Sequence, residues 1–190
     1  MSTSRGNRAR GLLLGLALVL VAAPGPLARA EPQGVEEYKV KAAFLYNFTK
    51  FVEWPDAAFR DASAPFVVAV LGDDPFGDAL DVLKGKTAQG RPIVVRRAAS
   101  LDALGRFHLL FVATSEKSRL ESVLPAAEAM HALTVGDAPG FRSQGGVIQL
   151  VRDGDRIGFE VNPDASRRAG LKISSKLLGL ARAVGGGNGK

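Results

Sequence analysis

The chain of 190 residues contains no cysteine, which excludes several kinds of chemistry at once. Disulfides, thiolate metal ligands, thiol redox control and lipid attachment through cysteine all require that residue. Histidine is almost as rare, since only His108 and His131 are present, each within an apolar run. The fold must therefore be stabilised by packing alone, and no Cys/His metal site is expected.

The sequence also lacks an apolar run long enough to cross a bilayer. Its longest such run, residues 12–23, is well short of the roughly 20 residues that a spanning helix needs. Three arginines precede it, and Pro24, Pro26 and the small-x-small motif at residues 28–30 follow it. This order predicts a cleavable signal peptide over residues 1–30, cut between Ala30 and Glu31, and therefore export to the periplasm.

A strong excess of positive charge is missing once that segment is removed. The formal net charge of +6 includes the signal-segment arginines at positions 5, 8, 10 and 29, so about +2 remains for the rest. That balance does not favour a nucleic-acid-binding surface. The remaining length predicts one domain over residues 31–184, with a flexible glycine-rich tail at 185–190.

The domain is predicted to begin with a long helix and to continue as alternating strands and helices. Helical spacing over residues 35–53 places one apolar arc toward a core: Tyr38, Val40, Phe44, Leu45, Phe48, Phe51 and Val52. Short apolar runs predict buried strands at residues 66–71, 92–96, 107–113 and 132–135. Helices are expected between them at about 74–83, 100–105 and 115–130, the last interrupted near Pro125.

The periodicity changes toward the C-terminus. Residues 147–152 and 156–161 flank Asp153-Gly154, which predicts a β-hairpin with a type I′ turn. A final helix is expected over residues 164–184, with Leu171, Leu177, Leu178 and Ala181 facing inward. Together these elements predict an α/β fold: a single three-layer domain whose mostly parallel sheet carries a C-terminal antiparallel hairpin and has helices on both faces.

Known catalytic and cofactor motifs are absent from the sequence. Gly85-Lys86-Thr87 has no glycine five positions earlier, and no nucleophile elbow, zinc-binding helix motif or dinucleotide fingerprint occurs. Asp73 and Asp74 follow a predicted strand, where α/β proteins bind ligands, but a helix cap explains them equally well. We therefore expect a protein without enzymatic activity and without a cofactor.

Several segments, in order, resemble one known family. The opening helix carries KAAFLYNF at 41–48 and KFVEWP at 50–55, and the first strand leads into LGDDPFG at 71–77. Further matches are LTVGD at 133–137, GF at 140–141, GGVI at 145–148, FEVN at 159–162 and AGLKISSKLL at 169–178. In this respect the chain is similar to the YfiR-like periplasmic family over nearly all of the predicted domain.

The resemblance implies a function that the residues alone do not indicate. Its best-known members bind the periplasmic sensor part of an inner-membrane diguanylate cyclase and hold it inactive, which lowers cyclic-di-GMP and biofilm formation. His108 stands where relatives often have a cysteine, so thiol-based control in those relatives does not transfer to this chain. The implied partner is the periplasmic domain of a membrane-bound signalling protein. Association of the chain with itself as a homo-oligomer is a further possibility.

Two surfaces are candidates for binding. Tyr46, Asn47, Lys50 and Trp54 fall on the side of the opening helix away from the apolar arc, although Trp54 and Tyr46 would also suit internal packing. Asp74, Phe76, Asp137 and Phe141 follow strand ends that open on one rim, and here too a purely structural role stays open. Besides protein binding, a non-enzymatic periplasmic small-molecule binder is the main alternative.

Overall fold

The structure, a computed structural model, describes residues 33–181. The predicted signal peptide, its cleavage point at Ala30 and Glu31, and the predicted tail lie outside the described residues. Within the described part, no helix is both long and apolar enough to cross a membrane.

The chain begins with helix α1, Gln33–Phe51, which packs across one face of the sheet. Leu45 and Phe48 are fully buried, as their helical spacing predicts, and so is Ala42, which the predicted arc does not include. Val40 departs from the predicted arc because it is 44% exposed, whereas the neighbouring Lys41 is buried. The helix is rotated so that Lys41 reaches a carboxylate inside the fold, as described below.

Nine strands, four further α-helices and three 3-10 helices complete the described fold. The strands are β1 Val52–Glu53, β2 Phe66–Leu71, β3 Thr87–Ala88, β4 Arg91–Ala98, β5 Leu109–Val112, β6 Leu133–Gly136, β7 Ile148–Asp153, β8 Arg156–Val161 and β9 Lys172–Ile173. The helices are α2 Leu101–Leu104, α3 Leu120–Ala129, α4 Pro163–Arg168 and α5 Ser175–Leu180.

Seven strands form one mixed sheet in the order β3-β4-β2-β5-β6-β7-β8. The pairs from β4 to β7 are parallel, and β3 and β8 pair antiparallel at the two edges. The predicted α/β domain, with a mostly parallel sheet and a C-terminal hairpin, is therefore confirmed. Strand β2 is buried along its whole length, in agreement with its unbroken apolar sequence.

Alternate residues of β2 enter two separate cores, one on each face of the sheet. Phe66, Val68 and Val70 pack in the core that α1, α4 and α5 cover. Val67, Ala69 and Leu71 face the core beneath α2 and α3, since successive side chains of a strand point to opposite faces. The expectation of helices on both faces is thus correct.

The C-terminal hairpin turns one residue later than predicted. Asp153 pairs with Arg156, so the central turn residues are Gly154 and Asp155. Gly154 has a φ of +58°, whereas Asp155 does not have a positive φ. A positive φ at the first central position alone is typical of a type II′ turn with glycine there. The predicted type I′ turn centred on Asp153-Gly154 is therefore wrong.

The predicted final helix is also wrong, because three short elements replace it. Helix α4 ends at Arg168, Gly170 adopts a φ of +73°, and β9 follows before α5 begins. Strand β9 pairs antiparallel with β1, directly after α1, and forms a separate two-stranded sheet. A glycine in the left-handed conformation ends the helix, and the strand pairing then holds the next residues extended.

Two smaller expectations change in the same way. The helix predicted after Asp74 is a 3-10 helix at Gly77–Leu83, and Asp74 accepts a hydrogen bond from the backbone N–H of Phe76 instead of capping an α-helix. The helix predicted over residues 115–130 begins as a 3-10 helix at Thr114–Arg119 and becomes α3 at Leu120. Pro125 lies inside α3 and does not interrupt it.

Candidate functional site

At the carboxyl end of the parallel strands, a buried ion pair links α1 to β6. Asp137 directly follows β6, and its Oδ2 accepts hydrogen bonds from Lys41 Nζ at 2.5 Å and Tyr38 Oη at 2.8 Å. Its Oδ1 accepts a hydrogen bond from Thr114 Oγ1, which follows β5, at 3.1 Å. Glu37, one helical turn before Lys41, forms a second ion pair with the ammonium at 2.6 Å. We call Glu37, Tyr38, Lys41, Thr114 and Asp137 the Asp137 network.

The Asp137 network changes the acid–base properties of two of its members. Burial, reinforced by the hydrogen bond to Asp137, raises the pKa of Tyr38 to about 12. Burial alone would lower the pKa of Lys41, but hydrogen bonds to Asp137 and Glu37 outweigh it and raise that pKa. Lys41 thus stays an ammonium and Tyr38 a neutral phenol, so neither is poised as a base at neutral pH.

Two more of the predicted site residues lie at the same end of the sheet. Asp74 Oδ2 forms an ion pair with Arg97 Nε at 2.6 Å, and Phe76 is buried with its ring edge-on to Tyr38 at 5.1 Å. An open groove of about 840 Å³ runs between this loop and the start of α1, with Tyr38, Asp74 and Phe76 among its lining residues. Asp74, Phe76 and Asp137 are therefore brought together around Tyr38.

Phe141 does not belong to that group, and its prediction as a binding residue is wrong. It is fully buried in the core under α2 and α3, on the other face of the sheet. A Cβ atom at Gly136 or at Gly146 would overlap the Phe141 ring, so the two glycines leave the space that the ring fills. The glycine-rich sequence around Phe141 is explained by this packing.

The other predicted surface, on α1, is divided by the structure. Tyr46 and Lys50 lie side by side, with the ammonium 3.9 Å from the ring centroid, and Asn47 is exposed beside them. Trp54 is separated from them, since α1 ends at Phe51 and the indole is only 8% exposed. Its Nε1 donates a hydrogen bond to the carbonyl of His108, and its ring meets Phe66 edge-on. The prediction that Trp54 lies on this surface is therefore wrong. We call the remaining three residues, Tyr46, Asn47 and Lys50, the α1 stripe.

Sequence reasoning did not identify a third region, at the amino end of the strands. A groove of about 480 Å³ lies there, and its lining includes Arg60, Arg96, Arg106 and His108. His108 is 2% exposed, and its ring contacts those of Phe59 and Phe66, with centroids 4.5 and 5.0 Å away. The arginines are far apart in sequence, so only the folded arrangement brings their charges together.

Within the described residues, the polar groups at the carboxyl end of the sheet are engaged by partners in the fold. Among residues 33–181, no three His, Asp or Glu side chains come close enough to hold a metal ion. The carboxylates of Asp74 and Asp137 are already engaged by Arg97 and Lys41, which leaves neither poised as a general base. Non-covalent recognition of a partner or ligand is the chemistry that these surfaces can support.

Comparison with known proteins gives a family and a related fold. The family model described as YfiR/HmsC-like matches residues 38–182. No curated protein matches the chain. A crystal structure of a conserved domain protein from Vibrio cholerae O1 biovar eltor is similar, with a TM-score of 0.51 and 13% sequence identity. The alignment covers 76% of this chain and 58% of that one, and at this identity the likeness concerns the fold alone.

Proposed function

Because the chain belongs to the YfiR/HmsC-like family, we propose that it is a periplasmic regulatory binding protein that restrains the sensor domain of an inner-membrane diguanylate cyclase. Restraint of the cyclase would keep cyclic-di-GMP low. The family match over residues 38–182 carries this proposal, because it spans the described domain almost from end to end. The whole domain, and not a part of it, is therefore the unit to which the regulatory role applies.

Export is part of the proposal, since the partner domain would lie in the periplasm. The arginine-rich opening, the apolar run at residues 12–23 and the small residues before Glu31 support it. Protein recovered from the periplasm should therefore begin at Glu31, which N-terminal sequencing would test. A chain that kept Met1, or that was found only in membranes, would contradict the proposal.

The α1 stripe is the surface that we propose for the partner. Asn47 and Lys50 are exposed, and Tyr46 is half-buried, so its aromatic ring is held while one side stays accessible. Tyrosine is among the residues that are enriched at the centre of protein interfaces.

The experiment is a binding measurement between the purified protein and the periplasmic domain of the cyclase. Tyr46→Ala and Lys50→Glu should weaken association, with about 2 kcal/mol lost for a central aromatic anchor. The melting temperature of Lys50→Glu should stay close to that of the wild type because Lys50 is exposed, whereas Tyr46→Ala should also lower it somewhat, because the half-buried ring packs against the core. Lys84→Glu is the matched control, since Lys84 is an exposed lysine outside α1.

A cellular measurement tests the regulatory direction. Deleting the gene should raise cyclic-di-GMP, and the wild-type protein should lower it again, whereas Lys50→Glu should not. If cyclic-di-GMP does not change on deletion, restraint of a cyclase is wrong. If Lys84→Glu weakens binding as much as Lys50→Glu, the partner is not recognised through the α1 stripe.

A further inference from the structure

The arginines of the described chain fall into two groups according to their partners. Six of them form ion pairs with carboxylates: Arg97, Arg119, Arg142, Arg152, Arg167 and Arg168. Arg60, Arg91, Arg96, Arg106 and Arg156 have no such pair within residues 33–181. Arg156 lies on β8, whereas the other four surround or adjoin the groove at the amino end of the strands, so most of the described arginines without an ion pair are in one place.

Hydrogen bonds to backbone carbonyls hold three of these arginines in position. Arg106 Nη1 donates to the carbonyls of Ala57 and Ala58, and Arg96 Nη1 donates to that of Leu104. Arg91 donates to two carbonyls of the loop above the groove and lies 4.0 Å from the centre of the Phe59 ring. Carbonyl oxygens orient a guanidinium without cancelling its charge, which leaves the other N–H donors for an anion.

The floor of the groove contains a buried donor that has no partner. His108 Nδ1 accepts a hydrogen bond from the backbone N–H of Val67 at 2.9 Å, so the neutral ring carries its proton on Nε2. That Nε2 makes no hydrogen bond to any described residue, although the side chain is 98% buried. The carbonyl of Ala58 is close enough to oppose the lowering of the His108 pKa, but it does not reach hydrogen-bonding geometry with Nε2 and already accepts from Arg106. Buried donors without a partner are rare and often mark a position that an ion or a ligand completes.

We propose that this groove binds a phosphate-class dianion, with the guanidinium groups of Arg60, Arg96 and Arg106 around it and the Nε2–H of His108 beneath it. Two N–H groups of one guanidinium can bind two oxygens of a tetrahedral oxyanion. Because several guanidinium groups surround the groove, a dianion is favoured over a monovalent ion. A neutral imidazole N–H adds a donor without adding charge. The proposal is independent of cyclase restraint, because it concerns another surface and requires no protein partner.

Binding should be measured on the purified protein without a histidine tag, in phosphate-free buffer. Inorganic phosphate and pyrophosphate are the probes, and glycerol 3-phosphate tests whether a phosphate monoester binds better than the free ion. The sequence has only two histidines, so the imidazole ¹⁵N resonances give two clean reporters. Phosphate should shift those of His108 and leave those of His131 unchanged, since the His131 ring already contacts the Ala169 carbonyl elsewhere.

Arg60→Gln is the decisive variant, because Arg60 is exposed and makes no hydrogen bond or ion pair to another described residue, so its loss should leave the fold intact. The dissociation constant for phosphate should rise about tenfold or more, as expected when a charge-assisted hydrogen bond is lost. Arg156→Gln is the matched control, since it removes the same charge from β8, away from the groove.

Four outcomes decide the proposal. A saturable shift of His108 that Arg60→Gln weakens and Arg156→Gln does not would support it. Absence of saturable binding for all three probes at millimolar concentration would overturn it. Equal weakening by Arg60→Gln and Arg156→Gln would also overturn it, because the effect would then be one of overall charge. Binding to vesicles of anionic lipid without binding to the free probes would assign the arginines to a membrane surface instead.

Discussion

The two ends of the parallel strands treat charge in opposite ways. At the carboxyl end, Lys41 is enclosed and its ammonium is neutralised by Asp137 and Glu37. At the amino end, Arg60 and Arg106 lie near the buried ring of His108 without a carboxylate of their own. Charges that are paired within the fold are not available to an external group, whereas charges without an internal partner can interact with something outside it. The charges of the carboxyl end are therefore used within the fold, and those of the amino end are the ones that we propose for an external anion.

What supports each end also differs. The amino end rests on stacked rings, in which Trp54 meets Phe66 edge-on and Phe66 stacks on His108. The carboxyl end rests on the Asp137 network, which joins α1 to the ends of β5 and β6. Ring packing depends on buried area and shape, and an ion-pair network depends on protonation and geometry. The two ends should therefore respond differently to substitution, pH and salt.

The largest effect is expected at the amino end, from Trp54→Ala. Removing the indole would leave a cavity beneath Phe66 and take away the donor to the His108 carbonyl. The free energy of unfolding should fall by about 4 kcal/mol, measured by urea denaturation. Trp54 is the only tryptophan, so the wild-type emission should also be blue-shifted, as for a buried indole.

Trp54→Phe is the control for that substitution. It retains a ring against Phe66 and loses the hydrogen bond, so its cost should be clearly smaller than that of Trp54→Ala. If Trp54→Ala left the denaturation midpoint unchanged while weakening partner binding, the indole would belong to an interface. The packing of the amino end would then not rest on it.

Asp137→Ala should have the next largest effect, at the carboxyl end. It would leave the Lys41 ammonium, whose side chain is 6% exposed, with Glu37 alone, and would remove the acceptor of Tyr38 and Thr114. Breaking a buried pair from one side costs about 3 kcal/mol of unfolding free energy. Thermal or urea denaturation at neutral pH would measure it.

A double substitution separates the buried charge from the packing. Lys41→Met combined with Asp137→Leu removes both charges, so it should be less destabilising than Asp137→Ala alone. If the double variant proved the less stable of the two, the cost would lie in lost packing and hydrogen bonds. The description of the carboxyl end as an ionic network would then be wrong.

The pH dependence of stability should reveal His108 at the amino end. Burial, with smaller contributions from the charges of Arg106 and Arg91, lowers its pKa from 6.5 to about 4. Between these values the unfolded chain binds more protons than the folded one, so stability is complete above pH 6.5 and decreases as the pH falls toward 4. From pH 7 to pH 5 the contribution of this group corresponds to a loss of about 2 kcal/mol.

His108→Gln is the control for the pH measurement. Glutamine can still accept the hydrogen bond from Val67 N–H but does not titrate. The variant should show a flatter dependence between pH 7 and pH 5 than the wild type, whatever its stability at pH 7. Parallel curves for the two proteins would mean that His108 is protonated as easily in the folded state as in the unfolded one.

The sequence predicts the central strands β2, β5 and β6 well because they are buried on both sides. Residues 66–71 were expected as a strand from their composition alone, and β2 has those bounds. The prediction of the final helix is wrong because local helical periodicity over residues 164–184 cannot reveal that β9 pairs with β1. Long-range pairing of two-residue strands leaves almost no local pattern in a sequence.

Among the site residues too, positions that follow from local periodicity are predicted, and positions that depend on distant residues are not. Helical periodicity over residues 35–53 places Tyr46, Asn47 and Lys50 on one side, and the structure agrees, but it cannot show that the chain leaves the helix before Trp54. Nor can periodicity show that Lys41 is buried, because the carboxylate that makes burial tolerable belongs to Asp137, 96 positions later. The groove of Arg60, Arg96 and Arg106 is likewise assembled from separate loops and strands.

The smallest predicted effect compares one arginine from each end. Arg97→Gln removes the partner of Asp74, whereas Arg60→Gln removes a charge that no described carboxylate neutralises. Because Arg97 is partly exposed, its ion pair should contribute only about 0.5 kcal/mol, so Arg97→Gln should be slightly destabilising. Arg60→Gln should be neutral or slightly stabilising, because it relieves repulsion with Arg106. Melting temperatures at low salt would show opposite signs, and the two variants should converge as added salt screens both interactions. The prediction fails if Arg60→Gln is as destabilising as Arg97→Gln and both effects persist at high salt. Arg60 would then have a partner within the fold, and its charge would not be available to bind an external anion.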